Sequence, residues 1–122
     1  MKDLVLVSVI MLALDSVYLR LTKGFYGNIV KSIQNSPLSL RYTPAAIVYA
    51  FLVMGLYLFV IKEKKDWRQA FLLGLVIYGV FEYTTYAIFS KWPLTAVIMD
   101  TLWGGILLAL TTWLTAKMRS FV

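Results

Sequence analysis

The sequence contains no cysteine and no histidine, and each absence excludes particular chemistry. Without these residues there is no disulfide, no thiol nucleophile, and no haem or zinc site built on histidine or cysteine. The usual general base near neutral pH is missing as well. Because no nucleophile motif or cofactor site is recognisable elsewhere, the sequence does not favour an enzyme.

Charge is also scarce, since only 15% of the residues are charged and they cluster between long apolar runs. Six acidic residues stand against twelve lysines and arginines, for a net charge of +6. The basic residues flank apolar segments, a pattern typical of contact with anionic lipid headgroups. We therefore expect a lipid bilayer as the partner, and no nucleic acid. Trp67, Trp92 and Trp113 are interpreted as anchors at the membrane interface.

Hydrophobic residues, in contrast, make up 61% of the 122 residues, with a mean hydropathy of +0.77. A membrane-spanning helix needs about 20 mostly apolar residues. Four segments meet or nearly meet this requirement: Leu4–Thr22, Ala45–Ile61, Ala70–Phe89 and Leu94–Ala116. The sequence therefore predicts an all-α, polytopic four-helix bundle that forms a single domain over residues 1–122.

The long connection between the first two spans, Lys23–Pro44, has a pattern of its own. Apolar residues recur there at helical spacing with polar residues between them, at Phe25, Tyr26, Ile29, Val30 and Ile33. This pattern predicts a short interfacial helix that lies on the outer membrane surface.

Lysine and arginine counts indicate the orientation of the bundle. The side that holds both termini carries seven of them, and the other side carries five. Because cytoplasmic loops carry an excess of these residues, we expect both termini in the cytoplasm.

Three acidic residues, Asp15, Glu82 and Asp100, fall inside three different predicted spans. An acid at the centre of a spanning helix costs roughly 2.5–3.5 kcal/mol, so such residues are paired, protonated or functional. With a rise of about 1.5 Å per residue, all three lie roughly 16–20 Å from the cytoplasmic side. Arg20, at the outer edge of the first span, is the one base near them, so neutralisation requires protons or a bound cation. Oxygen ligands suit hard cations such as Ca²⁺ or Mg²⁺.

Other polar or aromatic residues lie near these acids, several of them on the same helix faces, and could complete a polar pocket. The candidates are Tyr18, Arg20, Tyr49, Tyr78, Thr84, Thr85, Tyr86 and Trp103. We interpret the three acids as an ion-binding or proton-exchanging layer, and as candidate metal ligands, in a protein that conducts or transports protons or cations. Four short helices enclose little room for a pore, so we expect a homo-oligomer. Two alternatives remain: a membrane-embedded lipid-binding or lipid-modifying protein, and a structural accessory subunit.

The same residues form short motifs that resemble those of a known family. The motifs are L-D-x-x-Y-L at 14–19, Tyr49 with Gly55, E-x-T-T at 82–85 ahead of Trp92-Pro93, and D-x-x-W-G at 100–104. They resemble small membrane proteins catalogued as domain of unknown function 2177, in which Tyr18, Glu82 and Thr85 are usually Trp, Asp and Asn. The resemblance covers nearly the whole chain, implies four helices and marks the same three acids as motif residues. It supplies no activity.

Overall fold

A computed structural model of the chain describes residues 2–121, and all regular structure in that range is helical. The four main helices are α1 (Lys2–Gln34), α2 (Tyr42–Leu56), α3 (Trp67–Ile88) and α4 (Leu94–Arg119). Helix α2 continues directly into a short π-helical segment, Tyr57–Ile61. Counting α2 together with this segment, all four are long and apolar enough to cross a membrane, as predicted.

The helices begin and end where the local residues allow it. Asn35 follows α1 with a φ of 58°, a left-handed conformation that asparagine tolerates at helix ends. The Asp66 side chain accepts a hydrogen bond from the Arg68 amide at 3.0 Å and so caps the start of α3. Pro93 directly precedes α4, where its missing N–H costs nothing because the first amides of a helix have no helical partner.

The separate interfacial helix predicted between the first two spans is absent, because α1 runs without a break through Gln34. No proline interrupts the helix, and the apolar spacing after Lys23 simply continues its period. The Tyr18 and Tyr26 hydroxyls, eight residues apart, lie 2.6 Å from each other on one face of this helix. A helix of 33 residues is about 50 Å long, against roughly 30 Å for the hydrocarbon layer. Helix α1 is therefore long enough to cross the membrane and continue beyond it.

Helix α4 lies at the centre of the bundle, packed against both α3 and α1, while α2 packs mainly against α1. The tightest approach is between α3 and α4, where Gly74 lies against the backbone of Gly104 and Gly105. A Cβ atom on Gly74 would collide with the Gly104 carbonyl oxygen. Small residues permit such close contact in membranes, where helices associate through packing rather than through water exclusion. Helices α2 and α3 make little direct contact, although they follow each other in sequence.

The end of the bundle that holds both chain ends is called here the termini end. Arg119 Nε lies 3.0 Å from Asp3 Oδ1, and Lys2 Nζ donates to the Arg119 carbonyl, so α1 begins where α4 ends. The turn between α2 and α3 lies at this end too, because Lys65 and Arg119 line one cavity. Its placement on the cytoplasmic side of the membrane stays a prediction.

Two groups of inward-facing residues lie at different levels of the bundle. The apolar layer lies toward the termini end and consists of Val7, Met11, Leu52, Leu56, Val60, Ile61, Ala70, Leu107 and Leu108. The polar layer lies beyond it and contains the buried Asp15 and Glu82 and the half-buried Asp100, with their hydrogen-bond partners. The candidate site is therefore separated from the termini end by close-packed aliphatic side chains.

Candidate functional site

Asp15 lies on the buried face of α1 and is 6% exposed. Its carboxylate accepts hydrogen bonds from the Tyr49 hydroxyl of α2 and, at 2.9 Å, from Trp103 Nε1 of α4. One acid thus joins three helices.

Glu82 and Asp100 form a pair between α3 and α4. Glu82 is 1% exposed and accepts a hydrogen bond from Trp92 Nε1 at 2.9 Å, while Asp100 accepts one from the Tyr18 hydroxyl at 3.2 Å. The two carboxyl side chains also lie within hydrogen-bonding reach of each other. Ionised carboxylates only accept hydrogen bonds, so this contact is favourable when one member carries a proton.

Aromatic rings connect the pair to Asp15. The rings of Tyr18 and Trp103 are stacked, with centroids 4.6 Å apart and planes 5° from parallel. Tyr18 reaches Asp100 with its hydroxyl, and Trp103 reaches Asp15 with its indole N–H. Tyr26 adds a second contact, since its ring lies near that of Trp92, at a centroid distance of 6.4 Å. The three acids therefore belong to one network that includes side chains from all four helices.

No base neutralises this network within residues 2–121. The Arg119–Asp3 ion pair lies at the termini end, away from the three acids. Arg20 is exposed, and it forms no ion pair or hydrogen bond with any of the three acids. The structure therefore shows no contact that supports the predicted role of Arg20 as a partner of the acids, because its side chain is exposed rather than directed into the bundle.

The other predicted supporting residues divide into two groups. Tyr18, Tyr49 and Trp103 contact the acids directly, and Tyr78 packs against Gly104 and lines a cavity with Asp100. Thr84, Thr85 and Tyr86 do not contribute a described contact to the acids: Thr84 and Tyr86 are exposed, and the Thr85 hydroxyl donates to the Phe81 carbonyl of its own helix at 2.9 Å. Thr84 lies on another face of α3 than Glu82, whereas Thr85 and Tyr86 share its face but lie one turn further along the helix.

Sequence analysis missed two members of the network, Tyr26 and Trp92. Tyr26 was assigned to the interfacial helix and Trp92 to a membrane anchor, whereas Trp92 donates to Glu82. The spacing of eight residues between Tyr18 and Tyr26 is a signal that could have been used, because it places both on one face if α1 is continuous. The Trp92 contact spans the turn between α3 and α4, and no helical period predicts it.

The structure does not gather the three acids around a single point. Among the described residues, no group of three acidic side chains is arranged to hold a metal ion. Glu82 and Asp100 are paired, and the Tyr18–Trp103 stack connects Asp15 to them. Binding of Ca²⁺ or Mg²⁺ stays a prediction from the sequence alone.

A cavity of about 270 Å³ opens beside Asp100, in the gap between α2 and α3. The other lining residues are Val48 and Leu52 of α2 and Ile77, Tyr78 and Phe81 of α3. Val48 and Phe81 are each more than half exposed, so the cavity opens on the outer surface of the bundle. In a membrane this surface faces lipid.

Four membrane-length helices around a buried polar network define an integral, multi-pass membrane protein. The model of the family described as "Predicted membrane protein (DUF2177)" matches residues 1–117, and the chain belongs to this family. The resemblance inferred from the motifs is thereby confirmed. No curated protein and no solved structure matches the chain.

Proposed function

We propose that this protein transfers protons across the membrane and that the Glu82–Asp100 carboxyl pair is the group that binds and releases them. The observation that carries the proposal is that the buried Glu82 carboxyl group and the half-buried Asp100 carboxyl group lie within hydrogen-bonding reach of each other. Neither has a basic partner among residues 2–121. Two negative charges within hydrogen-bonding reach of each other in a low-dielectric site repel strongly. A proton shared by the two carboxyl groups relieves this repulsion, and release of the proton restores the repulsion. Intramembrane acids commonly mark proton or ion pathways.

The partners of the acids favour a proton over a hard metal cation. Asp15 and Glu82 each accept a hydrogen bond from a tryptophan indole, which is a donor only and cannot act as a metal ligand. Calcium and magnesium take six or more oxygen ligands, of which some are carboxylate oxygens and others waters. A site whose oxygens are already occupied by N–H and O–H donors accommodates a proton more readily than either ion.

Tyrosine hydroxyls supply a path from the pair toward the end opposite the termini. Asp100, Tyr18 and Tyr26 form a continuous series of contacts of 3.2 Å and 2.6 Å. A phenol both donates and accepts, so a proton can pass along such a series. Toward the termini end the apolar layer closes the path, with Met11, Leu56 and Leu107 fully buried. Transfer across the whole membrane therefore requires this layer to open, or a water path between subunits of a homo-oligomer.

Proton flux in proteoliposomes tests the proposal. We expect a pH gradient to drive flux through the wild type, and the flux to fall at least about tenfold in Glu82→Gln and Asp100→Asn, which keep size but remove the titrating group. Glu63→Gln in the exposed turn at the termini end is the matched control and should conduct like the wild type. Each variant is compared with the wild type by circular dichroism and gel filtration. Absence of flux through the wild type at every pH and voltage would overturn the proposal.

A structural role is the second candidate, and the completeness of the hydrogen bonds favours it. Asp15 has two donors, and Glu82 and Asp100 have one each in addition to their mutual contact. Such a network can fix the register of four helices without moving anything. In that case the wild type carries no proton flux, and the amide variants differ from it only in stability.

A further inference from the structure

The cavity beside Asp100 combines apolar walls with a single carboxylate. Five of its six lining residues are aliphatic or aromatic, and Asp100 is the sixth. Val48 is 54% exposed and Phe81 is 59% exposed, so both rim residues contact the hydrocarbon in a membrane. A ligand that enters by this route must itself be soluble in lipid, and it meets a carboxyl group on arrival.

Charge complementarity decides what kind of ligand fits. Asp100 interacts with Glu82, and no basic residue pairs with either of them in the described part of the chain. An anion would add to this negative charge, whereas a cation supplies the charge that is missing. Two aromatic rings, those of Tyr78 and Phe81, line the same cavity as Asp100. Ammonium groups with organic substituents are attracted to the faces of such rings, and aromatic cages with quaternary ammonium ligands are a known use of this interaction.

We propose that this cavity binds a small lipophilic organic cation, an ammonium group with an apolar substituent. The charged nitrogen lies near Asp100 and the rings of Tyr78 and Phe81, and the substituent packs against the aliphatic wall. Hard metal ions fit this cavity less well, because they need several oxygen ligands and the aliphatic wall offers none. The volume of about 270 Å³ lies just below the roughly 300–1,000 Å³ of ordinary ligand pockets, which favours a small cation.

The larger cavity of the bundle provides an internal contrast. It measures about 450 Å³, lies between α1 and α2, and has no charged residue among its lining side chains, which include Leu4, Leu12, Val53 and Leu58. A neutral apolar molecule has as good a site there as beside Asp100. Selectivity for a cation over a neutral molecule of the same shape is therefore the signature of the smaller cavity.

Binding of benzyltrimethylammonium to the purified full-length protein, measured by equilibrium dialysis in detergent, tests the proposal. Neopentylbenzene is the matched control ligand, because a quaternary carbon replaces the quaternary nitrogen without changing the shape. We expect saturable binding of the cation, with the neutral compound competing at least about tenfold more weakly. Asp100→Asn should weaken cation binding by at least about tenfold, since a charge-assisted contact is lost. Glu63→Gln should leave it unchanged.

Two further variants test the cavity without altering a carboxyl group. Val48→Trp fills the cavity from the lipid side and should abolish cation binding, while the helical content and gel-filtration profile remain those of the wild type. Phe81→Leu removes one ring and should weaken binding about three- to tenfold. Lack of saturable binding to the wild type, equal binding by folded Asp100→Asn or Val48→Trp, or equal affinity for the neutral compound would each overturn the proposal.

Binding of the cation does not depend on proton transfer, but exchange of one for the other rests on the proposed function. An ammonium group that pairs with Asp100 replaces the proton shared with Glu82, so charge is conserved and one proton is released per cation bound. A pH indicator in weakly buffered protein solution detects that release. Binding without proton flux in liposomes would keep this inference and reject the proposed function, and flux without binding would do the reverse.

Discussion

The apolar layer and the polar layer of this bundle are held together by different interactions. In the apolar layer, side chains such as Leu56, Leu107 and Leu108 are fully buried and make only packing contacts. In the polar layer, Asp15 and Asp100 accept hydrogen bonds from donors on other helices, and Glu82 accepts one from Trp92 in the turn between α3 and α4. Lipid solvates apolar groups nearly as well as a protein core does, so packing in the first layer is stabilising mainly where it is close. In the polar layer, in contrast, lipid hydrocarbon cannot replace the hydrogen bonds that the acids accept.

The contact between α3 and α4 supports both layers, and breaking it should have the largest effect. Gly74→Leu places a side chain where even one Cβ atom collides with the backbone of Gly104. Because backbone atoms cannot move aside cheaply, we expect loss of the folded bundle, seen as aggregation in gel filtration. Gly55→Leu is the matched control, since a Cβ there meets nothing within 4 Å. A Gly74→Leu protein as stable as Gly55→Leu would contradict the described packing.

Truncation in the apolar layer should come next. Leu107→Ala removes a fully buried side chain and leaves a cavity, which in water-soluble cores costs about 2–5 kcal/mol. In detergent the side chain is not transferred from water to an apolar interior on folding, so that contribution is largely absent. We therefore expect the free energy of unfolding to fall by about 2 kcal/mol, from lost packing. Thermal or denaturant unfolding measures it against Leu110→Ala on the exposed face of α4, which should be nearly neutral. Equal losses for the two variants would show that the layer is not close-packed.

Removal of one donor from the polar layer should cost slightly less. Tyr49→Phe leaves Asp15 with Trp103 as its remaining hydrogen-bond donor. Hydrogen bonds between helices in membranes average roughly 0.6 kcal/mol and reach about 1.7, so we expect a loss of stability within this range. Tyr57→Phe on the following turns, where no side-chain hydrogen bond is present, is the control and should be neutral. A neutral Tyr49→Phe would mean that the contact with Asp15 contributes nothing to stability.

The ion pair at the termini end should matter least. The Arg119 and Asp3 side chains are 44% and 31% exposed, so solvent screens their attraction. We expect Asp3→Asn to change the free energy of unfolding by less than about 1 kcal/mol, and less still in high salt. A larger loss that persists in salt would indicate that this contact holds α1 and α4 together more firmly than its exposure suggests.

Much of this architecture could be predicted from the sequence, because long apolar runs define spanning helices whatever their packing. Helix rise alone predicted that Asp15, Glu82 and Asp100 lie at a similar level of the bundle, and one network of contacts connects them. The pairing of Glu82 with Asp100 could not be predicted in this way, because it depends on which helices are neighbours. The composition of the chain does not indicate that α4 lies at the centre of the bundle. The same limit explains the missed contact from Trp92 to Glu82, which arises only when α3 and α4 fold together.

The continuous α1 shows a second kind of limit. An amphipathic helix on a membrane surface and the exposed extension of a spanning helix have the same period, so the pattern after Lys23 fits both. The difference lies in the absence of proline before Asn35 and in tertiary contacts such as Tyr26 with Trp92.

Proton flux through Glu82→Gln, measured beside wild type and Glu63→Gln in the same liposomes, tests the central claim most directly. The account predicts pH-driven flux through the wild type and the control, and a loss of at least about tenfold in folded Glu82→Gln. Undiminished flux through folded Glu82→Gln, or none through the wild type, would contradict the assignment of the Glu82–Asp100 pair as the proton-exchanging group.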